Sequence, residues 1–118
     1  LQTVEGPANI SSYCAVFAED DVRELLWQGK HPNDILAGVC DAIAGRVLSL
    51  LATLGPTNGL SPTCGFSICG GIALNIGVVK RLEEKMGVTA HIAPEPQIVG
   101  ALGAALFAKQ KLLQEQAR

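Results

Sequence analysis

The stretch FSICGGIALNIGVVKRLEEK (residues 66–85) predicts a buried strand, a sharp turn and a helix. Residues 66–69 have the length and apolar composition of a strand. The adjacent Gly70 and Gly71, here called the glycine corner, precede a helical pattern. Because glycine has no Cβ, the pair lets backbone approach a ligand closely, and the following helix presents free N–H groups. A nucleotide fits these properties, but so does a glycine pair that only turns the chain.

The residues that follow complete a β-α-β unit. Gly87 supplies a helix stop, residues 88–93 alternate as a second strand, and Pro94 and Pro96 enforce an extended loop. A crossover helix of this kind joins parallel neighbouring strands. Five apolar residues are predicted to face inward from the helix: Ile76, Val78, Val79, Leu82 and Met86.

Length and composition limit the class of protein. With 118 residues, 48% of them hydrophobic, and a net charge of −2, the chain fits one globular domain with a proper core. The absence of Lys/Arg clusters argues against nucleic-acid binding. No stretch approaches the roughly 18 uninterrupted apolar residues of a membrane span, and no leader pattern begins the chain, so we expect a cytoplasmic protein with no membrane segment. The start at Leu1 suggests a piece of a longer protein.

A strand and a helix are predicted near the N-terminus. The run YCAVF (residues 13–17) is compact and apolar enough for a short strand or a buried extended segment. Asp20 or Asp21 would then cap a helix over residues 22–28, which Gly29 ends. The same two carboxylates would alternatively bind a metal or a ribose.

The segment HPND opens the longest predicted helix. His31 would cap it, Pro32 fits its first position, and Asn33 and Asp34 favour its dipole. Arg46 falls near the apolar stripe, either as a snorkelling edge residue or as a phosphate ligand. The predicted stripe comprises Ile35, Val39, Ala42, Ile43, Val47, Leu50, Leu51 and Leu54.

The last predicted helix begins near Gln97 and contains many small residues. Glycines weaken a helix, so their presence predicts close packing of this helix on the sheet or on the glycine corner. The small residues are Gly100, Ala101, Gly103, Ala104, Ala105 and Ala108.

Four cysteines have spacings that match neither CxxC pairs nor zinc-finger patterns. By spacing alone they are buried or incidental thiols, and a disulfide is disfavoured in a cytosolic chain. They are Cys14, Cys40, Cys64 and Cys69.

Three segments together resemble one protein family. YCAVFAEDDV, SICGGIALNIGVVKRLEEKMGV and APEPQIVGALGAALFAK occur in the expected order and are similar to the C-terminal half of the ATPases that include activators of 2-hydroxyacyl-CoA dehydratases and ATP-binding subunits of benzoyl-CoA reductase. That family belongs to the acetate kinase, sugar kinase, Hsp70 and actin superfamily, whose two ribonuclease H-like halves close around ATP and magnesium. The resemblance implies an α/β fold with a mixed sheet flanked by helices. It also implies that residues 1–118 form a single domain, the nucleotide-binding half of a larger two-domain ATPase.

The resemblance assigns roles to seven residues. Cys14 matches a ligand of a [4Fe-4S] cluster that two homologous subunits share as a dimer. The family's other cysteine ligand lies in an upstream segment that is absent here, so one chain cannot supply the usual set. The residues that match nucleotide-contacting positions are Gly70, Gly71, Ile72, Ala73, Asn75 and Gln97.

The implied activity is ATP-dependent electron transfer. Reduced ferredoxin or flavodoxin would donate the electron, and a dehydratase or reductase acting on a CoA thioester would receive it. The family's acidic phosphate and magnesium loop is absent from this chain, so we expect no hydrolysis by the chain alone. Two other interpretations remain: a sugar or N-acetylglucosamine kinase of the same superfamily, without iron, and a non-catalytic α/β interaction domain.

Overall fold

The computed structural model describes residues 2–53 and 65–116. Leu54 and Cys64, which carry two of the predictions above, lie outside these residues. The elements in chain order are helix α1 (Ala15–Trp27), helix α2 (Pro32–Ala52), strand β1 (Phe66–Ile68), a 3₁₀ helix (Gly71–Leu74), helix α3 (Ile76–Met86), strand β2 (Ala90–Ile92) and helix α4 (Val99–Gln116).

The predicted β-α-β unit is confirmed. Strand β1 pairs in parallel with β2, with Ser67 opposite His91, and α3 is the crossover helix between them. Gly87 ends α3 in the left-handed conformation, with φ +67°, as its position in the sequence predicts. Within the described residues the sheet has only these two parallel strands, so the antiparallel pairing implied by a mixed sheet does not occur there.

The core lies between α2, α3 and β1. Val78 is completely buried, and Val79 and Leu82 are nearly so, which confirms three of the predicted inward positions. The prediction for Ile76 is wrong, because this side chain is 69% exposed. Ile76 is the first residue of α3, after a separate 3₁₀ turn, so the helical period begins later than the sequence pattern suggested. The buried cluster comprises Cys40, Ala44, Ile68, Ala73, Val78, Val79 and Leu82.

Helix α2 begins as predicted, but of the described residues in its predicted apolar stripe only Ile35 is fully buried. His31 caps it through Nδ1, which accepts a hydrogen bond from the Asn33 N–H at 3.2 Å, and Pro32 is its first residue. Small residues are buried because the N-terminal segment passes close to the helix: a Cβ on Gly38 would lie 2.1 Å from the carbonyl oxygen of Ala8. The buried residues are Asp34, Ile35, Ala37, Gly38, Cys40 and Ala44.

Four residues of the predicted apolar stripe of α2 line a groove of about 470 Å³, and two of them, Ile43 and Val47, also pack against the core. This groove, here called the α1/α2 groove, lies between α2 and residues 10–18. Its apolar wall on α2 consists of Val39, Ala42, Ile43 and Val47.

By length and composition alone, α2 is able to cross a membrane. Asp34, Asp41 and Arg46 interrupt its apolar residues, which is why the sequence showed no uninterrupted apolar run. The helix packs against α3, and it buries the Asp34 carboxylate completely. Over the described residues, 28% of the most apolar 18-residue stretch of α2 is buried, and Leu36 and Leu50 are about half exposed.

Helix α1 begins earlier than predicted. The sequence predicted a strand at residues 13–17, but α1 starts at Ala15 with Cys14 as its N-cap. A short apolar run is compatible with either structure, so periodicity alone could not decide between them. The predicted capping role of the carboxylates is also wrong, because Asp21 accepts a hydrogen bond from the Ser11 N–H at 2.7 Å instead. Gly29 follows the helix end with φ +75°, as predicted.

Helix α4 begins at Val99 and buries none of its side chains. The prediction that its small residues pack on the sheet or the glycine corner is wrong for the described chain. A Cβ on Gly100 or Gly103 would meet no atom within 4 Å. The reason is that no other described element covers this helix; even Leu106 and Phe107 are more than half exposed.

Asp34 anchors the N-terminal segment on α2. Its buried carboxylate accepts hydrogen bonds from the N–H groups of Val4, at 2.7 Å, and Glu5, at 3.1 Å. Its backbone carbonyl accepts a third bond from the Ala8 N–H at 2.9 Å. Both carboxylate oxygens are therefore satisfied by backbone that lies about thirty residues away in sequence.

These bonds predict a loss of stability in acid. Burial raises the pKa of Asp34, but the amides of Val4 and Glu5 and the charge of Lys30 outweigh burial and hold the pKa below its ordinary value. The stability that these interactions give the folded state is fully present above the unfolded pKa of about 3.9. It is lost as the pH falls through the folded pKa of Asp34. We expect Asp34→Asn to lower the melting temperature at pH 7 by about 5 °C or more. We also expect the melting temperature of this variant to fall less steeply than that of the wild type as the pH decreases.

Asp20→Asn is the matched control, because Asp20 is exposed. Melting curves from pH 7 down to about pH 3 test the prediction. A decline in acid that is equally steep in the wild type and in Asp34→Asn would contradict it.

Candidate functional site

The glycine corner has a backbone conformation that requires glycine. Gly70 follows β1 and Cys69 with φ +82° and ψ −177°, a combination that essentially only glycine adopts. A Cβ at Gly70 would meet no atom within 4 Å, so the space beside it is open. The main chain at this corner is thus accessible to a ligand.

The turn that contains PEPQ packs on the glycine corner. The Gly70 N–H donates a hydrogen bond to the carbonyl oxygen of Pro96 at 2.7 Å. The amide nitrogen of Gln97 lies 3.7 Å from the position that a Cβ on Gly71 would take. The structure therefore brings Gln97 beside the corner. The sequence singled out Pro96 only as a residue that enforces an extended loop, because no pattern shows which carbonyl Gly70 would bind.

The residues after the corner form a 3₁₀ turn rather than the predicted first turn of an α-helix. Ile72 is 41% exposed, whereas Ala73 is buried in the core, so only its backbone can face a ligand. Asn75 ends this turn and caps α3, accepting a hydrogen bond from the Val78 N–H at 3.2 Å. The first N–H groups of the turn, on Gly71 and Ile72, have no acceptor within the turn itself.

Cys14 lies apart from the corner, at the N-terminus of α1. Its residue is half-buried, and its side chain makes no capping hydrogen bond. It lines the α1/α2 groove together with Arg46. None of the corner residues lines this groove, so Arg46 lies with Cys14 and not with Gly70 and Gly71. Arg46 is exposed, which agrees with its interpretation as an edge residue of the helix.

The other described cysteines have separate environments. Cys40 is buried on α2, and Cys69 is exposed beside the glycine corner. Over residues 2–53 and 65–116, no three His, Cys, Asp or Glu side chains are grouped so that they could hold a metal ion. A metal centre at Cys14 would accordingly need ligands from beyond the described residues of one chain.

A family model, the BadF/BadG/BcrA/BcrD ATPase family, matches residues 2–108. This chain belongs to that family. The match includes Cys14, the glycine corner and Gln97, so the two regions singled out above both lie inside it.

Two curated relatives of this chain have names that state a function. The chain is 42% identical over 102 residues to the (R)-2-hydroxyglutaryl-CoA dehydratase activating ATPase of Acidaminococcus fermentans, covering 86% of this chain and 37% of the relative. It is 38% identical over 109 residues to a subunit of the benzoyl-CoA reductase of Thauera aromatica, covering 87% and 36%. The chain thus spans little more than a third of the length of these relatives.

A solved structure supports the same relationship. The activator of 2-hydroxyisocaproyl-CoA dehydratase from Clostridium difficile, with bound ADPNP, superposes with a TM-score of 0.78 at 32% identity. The similarity covers 97% of this chain and 40% of the activator. The fold of the family member is accordingly that of the activator ATPases, which is of the actin and Hsp70 type, and the predicted fold class is confirmed.

Proposed function

We propose that this chain is the C-terminal nucleotide-binding half of a larger two-domain ATPase, with residues 1–118 as one domain. The whole protein would be an ATP-dependent electron-transfer activator for a CoA-thioester reductase or dehydratase. The observation that carries the proposal is the open glycine corner at Gly70 and Gly71 in a member of this ATPase family. The relatives' names, an activating ATPase and a component of benzoyl-CoA reductase, supply the kind of partner.

ATP or ADP would bind at the glycine corner. The backbone of Gly70 and Gly71 would contact the adenosine, because the space beside Gly70 is open and Gly71 is exposed. Ile72 offers an exposed apolar surface to the base, and Gln97 offers an amide that can both donate and accept hydrogen bonds. Ala73 and Asn75 would act indirectly, by holding the turn against the core and by capping α3. Magnesium would be held by the phosphates and by residues of the other half.

Cys14 is the residue that would hold iron. Its thiol is free of a capping bond and lies at a helix N-terminus, whose free N–H groups favour negative charge. A [4Fe-4S] cluster needs about four thiolates and supplies a one-electron carrier. One Cys14 from each of two homologous subunits provides two thiolates, so the remaining two would come from the other half of each subunit.

The surface around Cys14 fits a dimer of homologous subunits. Tyr13, Val16 and Phe17 flank it, and each is more than half exposed. Exposed apolar side chains grouped in this way are typical of protein–protein contacts. A homologous subunit would cover them and would exclude water from the iron.

The proposed partners follow from this assignment. Reduced ferredoxin or flavodoxin would load the electron, and ATP binding and hydrolysis would bias a hinge between the two halves. The electron would then pass to a dehydratase or reductase that acts on a CoA thioester. This activity would be located in the cytoplasm.

Phosphate release distinguishes the proposal from the kinase interpretation. We expect the full-length protein, supplied with ATP and magnesium, to release inorganic phosphate without any sugar. Residues 1–118 alone should release none, because half a cleft cannot neutralise the phosphates. Phosphate transfer that occurs only when glucose or N-acetylglucosamine is added would contradict the activator and would support the kinase.

A further inference from the structure

A close contact joins α2 to the first turn of α3, directly after the glycine corner. A Cβ on Gly77 would lie 2.8 Å from the sulfur of Cys40 and 3.3 Å from Oδ1 of Asn75. Carbon atoms in good contact lie about 3.5–4.0 Å apart, so position 77 has no room for a methyl group in this arrangement. Glycine is a poor helix former, and its presence in α3 is explained by this contact.

The thiol in this contact is linked to the end of the 3₁₀ turn. Cys40 is only 7% exposed, and its sulfur lies 3.9 Å from Oδ1 of Asn75, within hydrogen-bonding distance for a thiol. The same oxygen accepts the Val78 N–H at 3.2 Å and so caps α3. One side chain, Asn75, therefore connects α2 with both the end of the turn and the start of α3.

A second contact fixes the same two helices further along. Asp41 follows Cys40 on α2, and its carboxylate lies 3.1 Å from the Lys85 ammonium and 3.8 Å from Nε of Arg81. Arg81 also donates a hydrogen bond to the carbonyl oxygen of Gly77 at 3.0 Å. The distance between α2 and α3 is thus set at Gly77 by steric contact with Cys40. One to two turns further along α3 it is set by the ion pairs of Asp41.

We propose that Gly77 is a positioning residue for the glycine corner, because its lack of a Cβ leaves room for the Cys40 sulfur. Their contact sets how closely α2 approaches the first turn of α3, and through Asn75 it orients the turn that begins at Gly71. Neither residue touches the ligand itself. The inference rests on the proposed function, since it takes the ligand of the corner to be a nucleotide.

The test is a set of variants of the full-length protein, titrated with ADP by calorimetry. Gly77→Ala pushes the Cys40 sulfur or α3 aside, and we expect the Kd for ADP to rise about tenfold. Cys40→Ala leaves the Val78 cap of Asn75 intact, so its Kd should change less than about threefold. Removing the sulfur makes room for the new methyl group. The double variant should therefore return to within about threefold of the wild-type Kd.

Gly45→Ala is the matched control, because Gly45 lies within α2 and a Cβ there would meet no atom within 4 Å. Its Kd should equal that of the wild type. A purely structural role for Gly77 would lower the melting temperature of Gly77→Ala and leave the Kd of the folded protein unchanged, which would overturn the inference. A double variant that binds no better than Gly77→Ala would overturn it as well.

A measurement on the wild type covers the case in which Gly77→Ala does not fold. Cys40 must open to react with N-ethylmaleimide, and opening would release the Asn75 cap. ADP at 100 times its Kd should then slow the alkylation of Cys40, followed by peptide mass spectrometry, by about 100-fold. If the protein binds ADP but Cys40 is alkylated equally fast with and without it, the inference is contradicted and the proposed function is not. A wild-type protein that binds no ADP contradicts the proposed function and the inference together.

Discussion

Cys14→Ala in the full-length protein is expected to abolish the iron–sulfur absorbance of anaerobically purified protein. Iron should fall from about four per dimer, the content of one [4Fe-4S] cluster, to nearly none. The physical reason is that a thiolate supplies both the bond to iron and negative charge, and a methyl group supplies neither. Cys14 lies at the N-terminus of α1 with no competing capping bond, so its loss should leave the helix intact.

Cys69→Ala is the control for this prediction. Cys69 is exposed and lies beside the glycine corner rather than in the α1/α2 groove. Its replacement should preserve both the iron content and the absorbance. Absorbance that survives in Cys14→Ala would show that Cys14 is not an iron ligand, and loss of absorbance in both variants would point to an unspecific effect on assembly.

Gly70→Ala is expected to weaken ADP binding by roughly 10- to 100-fold. At φ +82° and ψ −177°, an alanine would be strained by about 1–3 kcal/mol, and the free protein can relieve this strain by turning the peptide away. A nucleotide must then restore the strained conformation, so the strain energy is subtracted from binding. Calorimetric titration of ADP into the full-length variant measures the effect.

Gly87→Ala is the control, because it introduces a similar backbone strain at a position outside the glycine corner. Gly87 has φ +67° at the end of α3, and a Cβ there would meet no atom within 4 Å. An alanine should reduce stability by about 1–2 kcal/mol without changing the Kd for ADP. Equal losses of affinity in Gly70→Ala and Gly87→Ala would mean that the corner has no special role in binding.

The β-α-β unit was predictable because its signals are local. An apolar run ends at a glycine pair, a helical pattern ends at Gly87, and both features depend only on neighbouring residues. The 3₁₀ turn was missed although its signal is also local. It exists because Asn75 caps α3, and the sequence alone allowed the helix to start at the glycines.

Features that depend on distant residues could not be predicted. The sequence placed Asp34 near a helix dipole, but its partners are the amides of Val4 and Glu5. The buried face of α2 was predicted from its larger apolar residues, whereas the close passage of Ala8 requires Gly38 there. Hydrophobic periodicity identifies an apolar face but does not show which backbone will pass over it.

For the candidate site, the sequence alone identified the glycine corner, and the resemblance to a family added Gln97 and Cys14. The structure brings Gln97 to the corner through the Gly70–Pro96 hydrogen bond. Cys14 occupies a helix N-terminus, where a strand had been predicted. That error arose because a short apolar run such as YCAVF is compatible with a strand or a helix; in the structure Tyr13, Val16 and Phe17 are more than half exposed.

The most direct test of the account combines nucleotide binding and iron in one preparation. The chain, joined to its native N-terminal half and purified without oxygen, is titrated with ADP and ATP by calorimetry, and iron is counted per dimer. The account predicts binding of both nucleotides together with about four irons per dimer. Binding without iron would contradict the electron activator in favour of a kinase, and a protein with neither would leave only a structural α/β domain.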